Sequence, residues 1–202
     1  MNAAPPPGTL DVRALPSYRF GHGSLMWWGT IGLMLIEGTV FGLGVMMYFY
    51  LQGIAEAWPI DAAPPDLRWG TLNTAVMLAS VWPNHLAKAA AEREDRRRAR
   101  LWVLVCLLFA AVFLAGRAME FGALNISWSA NAYGSIVWLL LGLHTTHLVT
   151  DTVDTAVLAV LLFSRRFQPK RHVDVSENAM YWYFVVASWL PIYAVIYLVP
   201  RL

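Results

Sequence analysis

Five apolar runs, at about 25–51, 70–91, 101–123, 132–163 and 178–199, take up most of this chain. Each reaches about the 20 residues that a helix needs to cross a bilayer. Hydrocarbon offers no hydrogen-bond partner to bare backbone, so such runs must be helical. The sequence therefore predicts an all-α fold, a polytopic membrane bundle of five transmembrane helices. Residues 25–202 are expected to form a single transmembrane domain. Residues 1–24 read as an N-terminal arm, made extended by Pro5, Pro6 and Pro7. The arm lacks the apolar core of a signal peptide.

Composition supports the membrane reading. Charged residues make up 14% of the chain, against about 25% in a soluble domain. A net charge of +2 gives no reason to expect a nucleic-acid partner. Cys106 is the sole cysteine, which excludes an intrachain disulfide and a cysteine metal cluster.

The basic residues set an expected orientation. Arg13 and Arg19 precede the first run, and Lys88, Arg93, Arg96, Arg97, Arg98 and Arg100 join the second to the third. Arg165, Arg166, Lys170 and Arg171 join the fourth to the fifth. The other side holds Arg68 and Arg201, with Arg117 just inside a run. The N-terminus is thus expected in the cytoplasm and the C-terminus in the periplasm.

Polar residues inside the runs point to function, because an ionisable group near the bilayer centre costs roughly 2.5–3.5 kcal/mol on insertion scales. The fourth run carries His144, His147, Asp151 and Asp154 at i, i+3, i+7 and i+10, one stripe of a helix. Glu37 lies mid-way along the first run, with Gly38 and Gly42 beside it as a close-approach pair. His85 follows Pro83, where a kink is expected. Ser176 and Glu177 read as the start of the last helix, which bends at Pro191. Arg117 and Glu120 are three apart and read as a structural ion pair.

Three readings compete for this polar set. A metal or haem site is one, because neutral imidazoles bind transition metals. Two histidines on one helix do not suit the opposite axial positions of one haem, and no paired Glu-x-x-His motif occurs. A proton-linked transporter is the second, although five spans do not divide into two equal halves. The third is an accessory subunit whose polar groups hold lipid, neighbouring helices or a proton entrance.

Ordered stretches along 25–199 resemble subunit III of the haem–copper respiratory oxidases that use cytochrome c or quinol. They are Ile36-Glu37-Gly38-Thr39-Val40-Phe41, then Leu72-Asn73-Thr74-Ala75 leading to His85, then Ala118-Met119-Glu120-Phe121. Tyr133-Gly134-Ser135 with Gly142-Leu143-His144-Thr145-Thr146-His147 follows, then Glu177 with Tyr181-Trp182-Tyr183-Phe184 and Trp189. The length resembles the five-helix bacterial form. The resemblance implies a multi-pass protein of the bacterial inner membrane. It implies no haem or copper in this chain, with both in partner subunits, and bound phospholipid in a cleft. It implies direct packing on subunit I, contact with subunit II, and support of proton uptake and catalytic durability. Glu37 matches the family's buried helix carboxylate, and His144, His147, Glu177 and Trp182 fall on its motif positions. No catalytic, cofactor or metal role is carried to any of them. Glu37, His85, His144, His147, Asp151, Asp154, Glu177 and Trp182 are together expected to line a lipid- or proton-linked polar cleft.

The chain departs from the pattern in places. Tyr183-Phe184-Val185-Val186 stands where the family commonly has His-Phe-x-Asp. Thr145-Thr146 replaces the Gly between its two histidines, and Asp151 stands at a usual Gly. These departures leave open a subunit III-like component of a nitric oxide reductase as an alternative.

Overall fold

Ser24, Asp66, Asp95 and Asn131 each begin a helix by accepting a hydrogen bond from a backbone N–H that the first turn cannot satisfy. Ser24 caps α1 (Leu25–Ile54) through Met26, and Asp66 caps α2 (Leu67–Glu92) through Arg68. Asp95 caps α3 (Arg96–Gly122) through Arg98, and Asn131 caps α4 (Ala132–Phe163) through Gly134. A fifth long helix, α5 (Arg171–Tyr193), has no side-chain cap. The computed structural model describes residues 18–165 and 167–202. Most of the expected N-terminal arm, residues 1–17, and Arg166 lie outside the described residues.

Helix ends are tied as firmly as helix starts. Arg96 and Arg100, in the first turns of α3, both donate to the Leu162 carbonyl at the C-terminus of α4, and Arg96 also reaches the Ser164 carbonyl. Cations at a helix C-terminus satisfy orphan carbonyls and oppose the negative end of the dipole. The guanidiniums lie over Phe167 and Phe163, with centroid distances of 4.0 and 4.8 Å. Pro191 lies inside α5, where it removes one backbone donor. Three residues later the helix widens into a π segment, Ala194–Leu198, and then tightens into a 3₁₀ turn, Val199–Arg201.

The core lies where α2, α3, α4 and α5 meet. α2 packs on α3 and α5, α4 packs on α3 and α5, and α1 leans on α4 and α5 from outside. Met77, Phe113, Leu140, Leu141, Trp189 and Tyr197 fill the larger part of the core. A smaller cluster, Ala87, Ala91, Val103, Leu162 and Val175, fills the end near the Arg96 contacts. α1 buries only Phe41, Gly44 and Tyr48 and turns Leu25, Leu35, Ile36 and Met46 outward. Gly38 approaches Phe184, whereas Gly42 faces open space, so half of the expected glycine pair makes a close contact.

Among the described residues the fold is all-helical, and four helices, not five, are long and apolar enough to cross a membrane. These are Leu25–Ile54, Arg96–Gly122, Ala132–Phe163 and the run Arg171–Arg201. α2 falls short because Asn73, Ser80, Asn84 and His85 dilute its apolar residues. Three expected helix starts also need correction. α2 begins at Leu67 and not near 70, because Asp66 supplies the cap. α3 begins at Arg96 and not at 101, because Asp95 caps a charged first turn. α5 begins at Arg171, so Ser176 and Glu177 lie inside the helix.

Gly134, in the first turn of α4, tests the packing at the Asn131 end. A Cβ there would press into the Ser127 carbonyl oxygen and meet Ile126 Cγ1 at 3.0 Å. Gly134→Ala should therefore lose about 1–3 kcal/mol, the usual cost of overpacking. Gly142→Ala, on the same helix with nothing within 4 Å of its added Cβ, should stay near wild type. Thermal unfolding of both variants in detergent makes the comparison.

Candidate functional site

The stripe on α4 divides, because residues three apart on a helix point about 60° away from one another. His144 turns inward and is fully buried, while His147 turns toward α1.

The inner assembly is closed. Arg117 Nη1 lies 2.9 Å from Glu120 Oε2, with side-chain exposures of 1% and 0%. Glu120 also accepts from Asn73 Nδ2 at 3.0 Å and from the Tyr197 hydroxyl at 2.7 Å. The Arg117 guanidinium lies 4.0 Å from the Trp189 ring centroid, and Trp189 Nε1 donates to Thr74 Oγ1. Arg117 Nη2 is 3.3 Å from His144 Nδ1. Guanidinium nitrogens only donate, so Nδ1 accepts, and Nε2 carries the proton that it gives to the Val185 carbonyl at 3.0 Å. Both ring nitrogens of His144 are thereby used within the bundle. The expected Arg117–Glu120 pair is present, as the centre of a network that joins α2, α3, α4, α5 and the C-terminal segment.

The outer assembly opens into a cleft of about 580 Å³. From α1, Glu37 Oε2 accepts from the Tyr181 hydroxyl at 2.8 Å, and its Oε1 faces His147 Nε2 at 3.5 Å. His147 Nδ1 lies 2.7 Å from the Leu143 carbonyl, so Nδ1 carries a proton and donates it. Along the cleft, Asn178 Nδ2 spans Asp151 Oδ1 at 3.3 Å and Asp154 Oδ2 at 3.2 Å. Thr155 Oγ1 donates to the Asn178 side-chain oxygen. Arg171 pairs with Asp174 at 2.8 Å. Glu177 is 5% exposed, and neither carboxyl oxygen has a hydrogen-bond partner among the described residues. Met26 and Leu33 from α1, and Val157, Leu158 and Leu161 one to two turns beyond Asp154 on α4, add apolar lining to the same cavity.

Five of the eight expected cleft residues, Glu37, His147, Asp151, Asp154 and Glu177, are thus near or lining one cavity. Three lie elsewhere. His144 belongs to the inner network. His85 is exposed, with Nδ1 3.3 Å from the Tyr183 hydroxyl. Trp182 is buried, stacked on Phe113 at 5.0 Å, and donates through Nε1 to Ser80. It faces a small inner void of about 20 Å³ that shares Asp151 and Asn178 with the cleft. Among the described residues no group of three or more His, Cys, Asp or Glu side chains could hold a metal ion.

Sequence reasoning missed the α5 wall. Arg171, Asp174, Asn178 and Tyr181 recur every three or four residues, the mark of one helix face. Starting the last span at 178 assigned Arg171 and Asp174 to a linker.

Comparison with known proteins follows this geometry. A family model described as Cytochrome c oxidase subunit III matches residues 26–200, a stretch that holds both assemblies. A Nocardia farcinica protein named "Probable cytochrome c oxidase subunit 3" is 30% identical over 175 residues, covering 85% of this chain and 86% of that protein. "Cytochrome c oxidase subunit 3" of Thermostichus vulcanus is 26% identical over 176 residues, covering 86% of this chain and 87% of its own length. The Gallus gallus protein of the same name is 27% identical over 177 residues, covering 82% of this chain and 66% of its own length.

Removing one partner of a buried ion pair leaves the other charge unsolvated, at a cost of about 3–5 kcal/mol. Glu120→Ala should therefore destabilise the chain by that order. Arg117→Met together with Glu120→Leu should cost clearly less than the two single changes added, because the stranded charge is gone. Denaturant titration in mixed micelles reads all three variants.

Proposed function

The chain belongs to the cytochrome c oxidase subunit III family, and from that membership we propose that it is an accessory subunit of a terminal respiratory oxidase. It packs on the catalytic subunit I and contacts subunit II in a bacterial inner membrane. Electrons pass to oxygen through haem and copper held by those partners. This chain carries no redox centre. Its part is to hold lipid in the acid-lined cleft, to support proton uptake beside it, and to keep the catalytic subunit active over many turnovers. The family match across 26–200 carries the reading.

In this reading all five helices cross the bilayer. α2 is 26 residues long, roughly 39 Å of helix. Asn73, Ser80 and Asn84, which lower its mean hydropathy, are buried against the other helices and do not meet lipid. The N-terminus lies in the cytoplasm and the C-terminus in the periplasm. On that orientation Arg93 in the α2–α3 turn, and Arg97 and Arg98 in the first turn of α3, lie on the positive inner side. The cleft then opens toward the cytoplasmic half of the membrane, where Arg171 and Asp174 mark its mouth.

The test is purification of the tagged full chain in mild detergent. A haem spectrum and a large multi-span partner are expected, with oxygen rather than nitric oxide as the complex's substrate. Colourless protein without partners, able to move protons into liposomes, would support a transporter instead. Within the complex, Glu37→Gln and His147→Asn should change bound lipid or shorten the turnover lifetime. Wild-type values for both quantities in both variants reject the cleft's role.

A further inference from the structure

Ser80 and Asn84 are polar, buried and well inside α2. Both line the inner void of about 20 Å³, together with Asp151 and Thr155 from α4 and Asn178 and Trp182 from α5. The protein uses only part of their hydrogen-bonding capacity. Ser80 Oγ donates to the Met77 carbonyl at 2.6 Å and accepts from Trp182 Nε1 at 3.0 Å. A hydroxyl oxygen has two lone pairs, so one is left. Asn84 spends one amide hydrogen on the Ala179 carbonyl at 2.9 Å. Its second amide hydrogen and its side-chain oxygen are left. Asp151 accepts from Asn178 through Oδ1 alone, and Thr155 Oγ1 donates to the Asn178 side-chain oxygen and keeps its lone pairs. On the remaining side, Cys106, Ala110 and Phe113 of α3 close the void with apolar surface.

We propose that this void is a binding site for a single water molecule that bridges α2, α4 and α5. Volume decides which ligand fits. One water needs about 10–15 Å³ of such space. A void of about 20 Å³ therefore holds one, and it excludes a lipid head or an organic amine. The lining decides between a wet void and a dry one. Apolar cavities stay dry, whereas polar ones hold a water that makes about three hydrogen bonds. Here the water donates to Asp151 and to the Asn84 or Ser80 oxygen, and it accepts the spare Asn84 amide hydrogen. Left unsolvated, these buried polar groups would cost free energy. The site also gives α2 a reason for its composition. Ser80 and Asn84, which dilute the apolar residues of that helix, are the side chains it contributes to the water. The cleft shares only Asp151 and Asn178 with this void. The water site thus goes beyond the proposed function and does not depend on it.

The test uses the isotope-labelled full chain in lipid nanodiscs. Solid-state magnetic resonance reads magnetisation passing from water to the Asn84 side-chain amide. Transfer is expected in the wild type, although Asn84 is buried. The Trp189 indole N–H, held by Thr74 away from the void, sets the dry baseline. A density map of the purified complex should show one peak between Asp151 and Asn84. Ala110→Val adds two carbons on the apolar side of the void and alters no polar group. It should abolish the peak and cut the transfer several-fold. Leu108→Val, on the exposed face of the same helix, should leave both unchanged. The proposal is overturned if wild-type transfer to Asn84 stays at the Trp189 baseline, or if the map shows no peak. It is also overturned if transfer persists in an Ala110→Val chain that is retained in the complex. Where Ala110→Val does not fold, the two wild-type measurements decide by themselves.

Discussion

Glu120 and Arg117 lie at the middle of the bundle with almost no contact with solvent. Ions taken out of water are tolerated only with close geometry and further hydrogen bonds for what remains unpaired. Here those bonds come from Asn73 of α2, His144 of α4 and Tyr197 of the widened turn after α5, while Trp189 of α5 adds a cation–π contact to Arg117. Side chains of leucine and valine pack as well against lipid as against protein, so apolar faces alone fix little about helix rotation in a membrane. The ion pair supplies that fixing. Each helix must present one polar group to one point, and this sets the angle of α2, α4 and α5 about their own axes. Once His144 faces Arg117, the position of His147 toward α1 follows from the pitch of α4.

The two polar assemblies differ in how they are held. In the inner one Glu120 and both His144 nitrogens meet partners at ordinary length, and Arg117 is held by the ion pair and the Trp189 ring although its Nε and Nη1 have no hydrogen-bond partner among the described residues. In the outer one Glu177 offers two unbonded oxygens, and His147 Nε2 faces Glu37 Oε1 at 3.5 Å. An unsatisfied buried acid loses stability that a saturated one keeps. A chain retains such groups without that penalty when something else, a proton or a polar head, completes them. Leu33, Val157 and Leu161 line the same cavity and are suited to an acyl chain. Acids and apolar side chains lining one cavity match the two parts of an amphiphile. It supports the reading of the cleft as lipid- and proton-linked.

How much of this could be read from the residues depends on which force set each feature. The bounds of α4 and the start of α1 followed from apolar length, whereas the count of apolar spans did not, because α2 carries buried polar residues that lower its hydropathy. The Arg117–Glu120 pair followed from a three-residue offset between opposite charges in an oily run. The start of α5 did not, because Arg171–Glu177 is polar enough to pass for a linker. It is helical because α5 packs beside α2 and α4, a tertiary contact that no local pattern carries. The division of the α4 stripe was also hidden. A stripe shows that residues share a side, but one side of α4 touches both α5 and α1, and only coordinates separate the His144 environment from that of His147. Asn178 escaped notice because it is uncharged, and its importance comes from standing between Asp151 and Asp154 on α4.

α1 is the least buried helix and yet it supplies Glu37. Its outward face near that carboxyl is Leu35, Ile36, Val40 and Leu43, each well exposed. A helix with its side chains is about 10–12 Å across, so any protein lying on this face stands one helix away from the Glu37–His147 pair. Pressure on α1 changes the distance across that pair more readily than it changes the interior. The pair is already slightly longer than an ordinary hydrogen bond at 3.5 Å, whereas the Arg117 network is locked from several directions. Under the proposed assembly, the longer polar contact lies nearest a neighbour on α1, and the closely held Arg117 network lies behind it.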